Sequence, residues 1–131
     1  MPGDPLVVYR IYWSLENHTV DAGGGRRRLA SSLFKTQSLS VDDGALVTPQ
    51  QASAQFRTQP NGVASLPKRA FSDEGMALNP DPPEHPEFRA EHRTAGPISK
   101  GLAKRLLMAS RVVIQHPGFE VLDPEAATAD T

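Results

Sequence analysis

P-L-V-V-Y-R-I-Y-W, residues 5–13, is the stretch of the sequence that decides the fold. Its Val, Ile, Tyr and Trp residues pack well on a pleated surface, so the stretch predicts a β-strand. Side chains alternate between the two faces of a strand. One face carries only apolar side chains and is predicted to be the core face: Val7, Tyr9, Ile11 and Trp13. The other face, predicted to be the wetter one, carries Leu6, Val8, Arg10 and Tyr12.

The rest of the chain adds short strands and two helices to this first strand. Residues 39–41 (L-S-V) and 62–66 (G-V-A-S-L) predict strands, and residues 88–93 alternate as a half-exposed strand does. Residues 48–56 begin with Thr-Pro, which is typical of a helix N-terminus. The combination predicts an α+β fold: a small, mostly antiparallel sheet with a C-terminal helix packed on one face. An open, barrel-like sheet with the same helix is the alternative.

The C-terminal helix is the strongest helical pattern in the chain. It is predicted over residues 97–112, where apolar side chains recur every three or four residues. This apolar stripe consists of Ile98, Leu102, Leu106, Ala109 and Val113. The length of 131 residues leaves room for one core. We therefore expect a single domain over residues 1–120, followed by a disordered acidic tail at residues 121–131.

Residues 17–28 are predicted to form a flexible loop. Gly23, Gly24 and Gly25 lie within it, and the segment has no hydrophobic periodicity. Three glycines next to three arginines can wrap a phosphate, but the spacing matches neither of the glycine-rich phosphate motifs. A solvated loop is therefore the preferred interpretation.

The composition excludes several classes of site. The chain has no cysteine, which rules out disulfides, thiolate zinc sites and a cysteine nucleophile. It has no long apolar run, so neither a signal peptide nor a membrane span is predicted, and a cytoplasmic location is expected. The net charge of −1 combines a mildly basic body with an acidic C-terminal end. Such a body favours anionic partners without specifying one.

Two groups of residues are candidates for binding an anion. In the first, two cations and three hydroxyl groups would line one site: Arg10, Ser31, Ser32, Lys35 and Ser40. The second is a basic face formed by an arginine triplet and the C-terminal helix: Arg26, Arg27, Arg28, Lys100, Lys104, Arg105 and Arg111. This face would contact phosphates without sequence specificity, or would simply be solvated. Arg10, likewise, is either a cation reaching to solvent or an anion-binding residue in a cleft.

No residue pattern indicates a catalytic set, a metal site or a cofactor. The G-x-S-x-G elbow is absent, and the serines are interpreted as caps and sheet hydroxyls. His85, Glu87 and His92 lack the spacing of a metal site, and His92 is predicted to lie at the edge of the core. Asp42-Asp43-Gly44 is typical of a turn rather than of an acid–base pair. We therefore expect no catalytic residue, no metal and no cofactor.

The order of several short motifs resembles a family of short uncharacterised bacterial hypothetical proteins. The shared motifs are the strand with Arg10, S-S-x-F at 31–34, L-S-V-D at 39–42, G-V-A-S at 62–65, D-P-x-x-x-P at 81–86 and the basic C-terminal helix. The resemblance spans residues 7–112. That family has no known activity, so the resemblance implies a small bacterial protein and no chemistry. Phe88 stands where the family pattern has a histidine.

Two functions of different class follow from these observations. The first is a non-enzymatic protein that binds another protein, encoded by a functionally linked neighbouring gene. It rests on the missing catalytic signature and the low aromatic content. The second is a nucleotide- or nucleic-acid-binding protein that uses its basic residues and in one version acts on a phosphate-containing substrate. No membrane partner is expected. Convergence of Arg10, Ser32 and Ser40 on one concavity would favour the second function, and scattering of these residues would exclude an enzyme built on them.

Overall fold

Nine strands and four α-helices make up residues 3–54 and 62–124, the part of the chain described by this computed structural model. In chain order the strands are β1 (Val7–Tyr12), β2 (Thr19–Gly23), β3 (Arg26–Leu29), β4 (Leu39–Asp43), β5 (Gly62–Pro67), β6 (Asn79–Pro80), β7 (His92–Ala95), β8 (Arg111–Ile114) and β9 (Val121–Leu122). The α-helices are α1 (Leu15–His18), α2 (Pro49–Ala54), α3 (Arg69–Ser72) and α4 (Lys100–Ala109). A short 3₁₀ helix covers Ser31–Leu33. The predicted α+β class is confirmed.

The larger sheet has six strands in the order β6-β7-β4-β1-β5-β8, and every neighbouring pair is antiparallel. Strand β1 lies at its centre and pairs with β5 along its whole length, from Val7 opposite Pro67 to Tyr12 opposite Gly62. The stretch that decided the fold from sequence is thus the central strand. A second, smaller sheet has the order β2-β3-β9.

The larger core lies on the face of β1 that carries Val8 and Tyr12, which the sequence predicted to be the more solvent-exposed one. Val8 and Tyr12 are fully buried there, beneath Leu102 and Leu106 of α4. The predicted packing of the C-terminal helix on one face of the sheet is therefore confirmed, but the assignment of that face is wrong. Helix α4 packs on one face of β1 and helix α2 packs on the other. Both faces of β1 are apolar because each is covered by a helix.

The opposite face of β1 contributes to a smaller apolar cluster. Tyr9 and Ile11 are buried there with Ala52 of α2 and Val63 of β5. Trp13, which the alternation assigned to the core, is 41% exposed. It follows Tyr12, the last residue of β1.

The glycine-rich segment is a hairpin rather than the predicted loop. Strands β2 and β3 pair antiparallel, and Gly24 and Gly25 form the two-residue connection between them. Their φ angles are 63° and 78°, the left-handed values that a type I′ turn requires at both central positions. The glycines therefore fix a tight turn, and the neighbouring arginines become part of a strand.

The predicted disorder of the acidic tail is wrong for Val121 and Leu122. These two residues form β9, which pairs parallel with β3, and Val121 is buried. The side-chain amide of Gln115 holds β9 in place: it donates to the carbonyl oxygen of Val121 at 2.9 Å and accepts from its N–H at 2.7 Å. Residues 125–131 of the predicted tail lie outside the described residues.

The C-terminal helix is shorter than predicted. Helix α4 begins after Ser99, whose hydroxyl accepts from the N–H of Leu102 at 3.2 Å, and it ends at Ala109. Residues 111–114 form strand β8 instead of a last helical turn. The strand predicted at 88–93 begins later, at His92. Within residues 3–54 and 62–124 no helix is long and apolar enough to cross a membrane.

Candidate functional site

A cavity opens beside Arg10 because strands β1 and β4 separate. They pair at only two positions, Val8 with Asp43 and Tyr9 with Asp42. Strand β4 meanwhile continues its pairing with β7 as far as Leu39. Beyond Tyr9, the space between the two strands widens into a cavity of about 320 Å³, named here the Arg10 cavity. It is lined by Arg10, Ile11, Trp13, Ser40, Val41, Asp42, Arg89 and His92.

Arg10 is held in this gap by backbone carbonyl groups. Its Nε donates to the carbonyl oxygen of Leu33 at 3.1 Å, and its Nη1 donates to that of Ser40 at 3.1 Å. In the described part of the chain no carboxylate forms an ion pair with it. Burial lowers the pKa of Arg10 to about 10, which leaves the guanidinium charged at neutral pH. Arg10 therefore carries a positive charge that no acid of the described chain balances.

Arg89, the second arginine of the cavity, is balanced by two carboxylates. Its Nη1 lies 3.2 Å from Oδ1 of Asp42 and 3.1 Å from Oε2 of Glu91. The Asp42 side chain is almost fully buried. A buried carboxylate needs such a partner because desolvation of an unpaired charge is costly. Arg89 thus stabilises the wall of the cavity, and its positive charge is taken up by these two carboxylates.

His92 is oriented by Asp81. Its Nδ1 lies 2.6 Å from Oδ1 of Asp81, while Oδ2 of Asp81 accepts from the N–H of Arg89 at 3.2 Å. The hydrogen bond with His92 lowers the pKa of Asp81, and the N–H of Arg89 adds to this effect. Asp81 therefore stays ionised at neutral pH and fixes the imidazole ring. The other ring nitrogen, Nε2, bonds to no residue of the described chain.

Trp13, which lines the cavity, meets His18 edge to face, with the ring centroids 5.2 Å apart. Burial lowers the pKa of His18, and the positive charge of Arg10 lowers it further. The His18 ring is therefore neutral at pH 7. Its Nδ1 is buried without a hydrogen-bond partner in the described residues.

The structure brings together two of the five predicted anion-binding residues. Arg10 and Ser40 line the Arg10 cavity, whereas Ser31, Ser32 and Lys35 do not. The hydroxyl of Ser32 donates to the carbonyl oxygen of Asn17. Lys35 lines a separate concavity with residues 36–37 and 97–99. The 3₁₀ helix nevertheless adjoins the cavity, because Leu33 supplies a carbonyl oxygen to Arg10.

The arginine triplet of the predicted basic face is divided by strand alternation. Arg27 turns inward: its Nε donates to Oγ1 of Thr19 at 2.8 Å, and its Nη2 donates to the carbonyl oxygens of Leu15 and Thr19. Arg28 donates to the carbonyl oxygen of Asp123 at 2.9 Å. Arg26 is exposed. Two members of the triplet thus hold the small sheet together.

The basic residues at the C-terminal helix are divided in a similar way. Arg105 forms a two-pronged ion pair with Glu74, at 2.6 Å and 3.0 Å. Arg111 lies in β8 and donates to the carbonyl oxygens of Met108 and Ser110. Lys100 and Lys104 are exposed. Most of the predicted basic residues are therefore engaged with neighbours.

Among the polar and aromatic residues that line the cavity, four were not selected from sequence as site residues: Trp13, Asp42, Arg89 and His92. The Asp42–Asp43 pair was interpreted as a turn, and Asp43 does accept from the N–H of Ala45 as a turn residue does. Asp42, however, belongs to β4 and faces the cavity. The sequence signal that could have identified the pair of Asp81 and His92 is an acid and a histidine separated by several prolines, at positions 82, 83 and 86. No group of three metal-ligating side chains is arranged around an ion position in the described residues.

Comparison with protein-family models, curated proteins and solved structures finds no match for this chain. The resemblance to bacterial hypothetical proteins stays a prediction. Function is therefore argued from the site alone.

Proposed function

We propose that the protein binds a small organic anion of the nucleotide class in the Arg10 cavity. The observation that carries this proposal is the unbalanced charge of Arg10. Its guanidinium is partly buried and, within residues 3–54 and 62–124, donates to two backbone carbonyl groups. A ligand phosphate or carboxylate would supply the missing opposite charge.

Three other partly buried cations around the larger sheet make this arrangement informative. Arg89 is paired with Asp42, and Lys68 and Arg93 are both paired with Asp43. Removing an arginine from water without a counter-charge costs free energy that such pairs normally offset. Arg10 departs from this pattern at a cavity wall, where a ligand can reach it.

The volume of the Arg10 cavity and the aromatic ring of Trp13 in its wall favour a ligand with a planar ring. A cavity of about 320 Å³ falls at the lower end of small-molecule sites, and it accommodates one nucleotide unit. Trp13 offers a ring surface on which a base can stack, a contact typical of nucleotide recognition. Ser40 adds a hydroxyl group at the same wall.

Trp13 provides a direct test because it is the single tryptophan of the chain. Its fluorescence is titrated at low salt with AMP, with 2′,3′-cyclic AMP, with inorganic phosphate and with uncharged adenosine. We expect a saturable change with the nucleotides and a weaker response to adenosine, which cannot pair with Arg10. Added salt weakens the binding of the charged ligands.

Variants separate Arg10 from the general charge of the protein. Arg10→Gln is expected to weaken nucleotide binding at least tenfold, and Arg10→Lys is expected to weaken it less. Arg26→Gln, which removes an exposed charge away from the cavity, leaves binding unchanged. Circular dichroism establishes that each variant is folded. Equal affinity of Arg10→Gln and wild type, or no binding of any of these ligands at millimolar concentration, would refute the proposal.

The protein-interaction role expected from sequence stays a prediction, as do bacterial origin and a cytoplasmic location. The side chain of Phe88 is an exposed apolar group of the kind that a protein partner contacts. No contact in the described residues identifies that partner. The ligand-binding proposal, in contrast, is supported by a defined cavity and by an arginine without a carboxylate partner in the described residues.

A further inference from the structure

Two polar groups of the Arg10 cavity have no role in holding its walls. One is Nε2 of His92, which is left over when Asp81 fixes Nδ1 at 2.6 Å. The other is the hydroxyl group of Ser40, which makes no hydrogen bond in the described part of the chain. Both residues line the cavity. An imidazole that lines a cavity and is oriented by a carboxylate at one ring nitrogen is the arrangement of a general base.

The strand register places these two groups on one face of the sheet. Ser40 lies opposite Thr94, and Asp42 lies opposite His92, so Ser40 and His92 are diagonal neighbours on adjacent strands. Diagonal neighbours have backbones about 7–8 Å apart, and long or aromatic side chains span that distance. A water molecule or a ligand oxygen fits between a serine hydroxyl and an imidazole placed in this way.

The charges of the cavity specify how much negative charge its ligand can carry. Arg89 lies between Asp42 and Glu91, and Asp81 is hydrogen-bonded to His92. Around the described cavity three carboxylates thus face two arginines, and Arg10 is the arginine without a carboxylate partner among the described residues. Because carboxylates repel a ligand more strongly as its negative charge grows, a phosphate with one charge should bind more tightly than the doubly charged phosphate of AMP. A phosphodiester is a phosphate with one negative charge.

We propose that the cavity hydrolyses a phosphodiester of nucleotide size, with His92 as general base. This inference rests on the proposed function, because the same Arg10 holds the phosphate. Asp81 is a positioning residue that keeps Nε2 of His92 towards the substrate and stabilises the imidazolium that forms. Ser40 orients the attacking water.

The reaction needs only the substrate and water. Nε2 of His92 accepts a proton from water while an electron pair of the water oxygen forms a bond to phosphorus. The phosphorus–oxygen bond to one ester group breaks, and its electron pair stays on the departing oxygen. That oxygen then takes the proton from the His92 imidazolium. The products are a phosphomonoester and an alcohol, and Arg10 stabilises the charge on the phosphoryl oxygens throughout.

The experiment measures hydrolysis of 2′,3′-cyclic AMP and of bis(4-nitrophenyl) phosphate by the full chain. We expect turnover of at least one of these probes above the buffer rate. His92→Gln should lower kcat by about 100-fold or more, in line with the contribution of a general base. His85→Gln is the matched control, since His85 is an exposed histidine outside the cavity, and it should retain full activity.

Asp81→Asn tests the positioning role. Asparagine keeps an oxygen for the N–H of Arg89, so the segment from 81 to 92 retains that link. We expect kcat to fall while KM and the Trp13 fluorescence titration stay unchanged. A purely structural role would change binding and turnover together.

The outcomes distinguish this inference from the function on which it rests. Saturable binding without turnover of either diester overturns the catalytic inference and leaves ligand binding intact. Full activity of His92→Gln overturns the role of His92. Absence of both binding and turnover overturns both proposals. Loss of turnover in His92→Gln with binding retained supports the catalytic inference.

Discussion

The carboxylate of Asp43 lies 2.7 Å from the ammonium group of Lys68, which belongs to the connection between β5 and α3. The same carboxylate contacts Arg93 of β7 through its second oxygen, at 3.2 Å. Asp43 therefore joins strands that lie on both sides of β4 and β1 in the larger sheet. It also accepts from the N–H of Ala45 at 2.9 Å, which fixes the turn after β4.

This pairing predicts an acid-labile fold. Burial alone would raise the pKa of Asp43, but the hydrogen bonds from Lys68 and Ala45 and the charges of Lys68 and Arg93 lower it below its ordinary value of 3.8. A carboxyl group with a lowered folded-state pKa stabilises the fold above pH 3.8. That contribution is lost as the pH falls from there through the folded-state pKa.

Urea unfolding of wild type and Asp43→Asn at several pH values measures the effect. The variant should be less stable at pH 7, and the difference should shrink between pH 5 and pH 2, because protonation removes the same charge from wild type. Asp21→Asn, in the exposed hairpin, should follow the wild-type pH dependence. A difference between wild type and Asp43→Asn that stays constant down to pH 2 would contradict the argument.

Arg27 and Arg26 are neighbours in sequence with opposite environments, and they give a second prediction. Arg27 donates three hydrogen bonds that tie α1 to β2, whereas Arg26 is exposed. Arg27→Gln should lower the free energy of unfolding by about 2–3 kcal/mol, since hydrogen bonds from a charged group are lost and buried carbonyl groups remain unpaired. Arg26→Gln should change it by less than about 0.5 kcal/mol. Chemical denaturation of both variants is the measurement, and equal stabilities would show that Arg27 is only a surface charge.

Hydrophobic patterning predicted the elements whose apolar residues recur regularly. Strand β1 and helix α4 were found because their side chains alternate or form a stripe. The hairpin of β2 and β3 was missed because its strands are polar and its turn glycines resemble a flexible linker. Strand β9 was missed because two residues next to acidic side chains carry no periodicity. It is held by Gln115, a contact that depends on the folded chain.

In the candidate site, the clearest signal from sequence is Arg10. It was selected because a charged residue interrupts an otherwise apolar strand. The partnership of Asp81 with His92 depends on how the intervening proline-rich segment closes, and no local pattern encodes that closure. The cavity itself arises from the separation of β1 and β4, which is a property of the sheet.

Gly62 and Gly101 make a matched pair for testing the packing of the core. Gly62 lies opposite Tyr12 in the sheet, and a Cβ atom at Gly62 would overlap the Tyr12 ring. That ring cannot swing away, because its hydroxyl donates to the carbonyl oxygen of Ile114 at 3.0 Å. Gly62→Ala should therefore destabilise the fold by about 1–3 kcal/mol.

Gly101 has room for a methyl group, because the nearest atom is Nη1 of Arg105 at 3.5 Å. It lies inside α4, so Gly101→Ala should stabilise the fold by about 0.5–1 kcal/mol through helix propensity. Thermal unfolding of both variants is the measurement. The same sign of effect for the two substitutions would contradict the packing described around Tyr12.

The last prediction concerns the side-chain amide of Gln115, which substitutes for a backbone strand partner. It pairs with both the N–H and the carbonyl oxygen of Val121 and so holds β9 against β3. Gln115→Ala should lower the free energy of unfolding by about 1–2 kcal/mol, because two backbone groups lose their hydrogen bonds. Gln50→Ala, on the exposed side of α2, should change it by less than about 0.5 kcal/mol. Hydrogen exchange adds a local readout: the Val121 amide should exchange faster in Gln115→Ala, while the amides of β1 keep their protection. Unchanged exchange at Val121 would mean that β9 is held by its pairing with β3 alone.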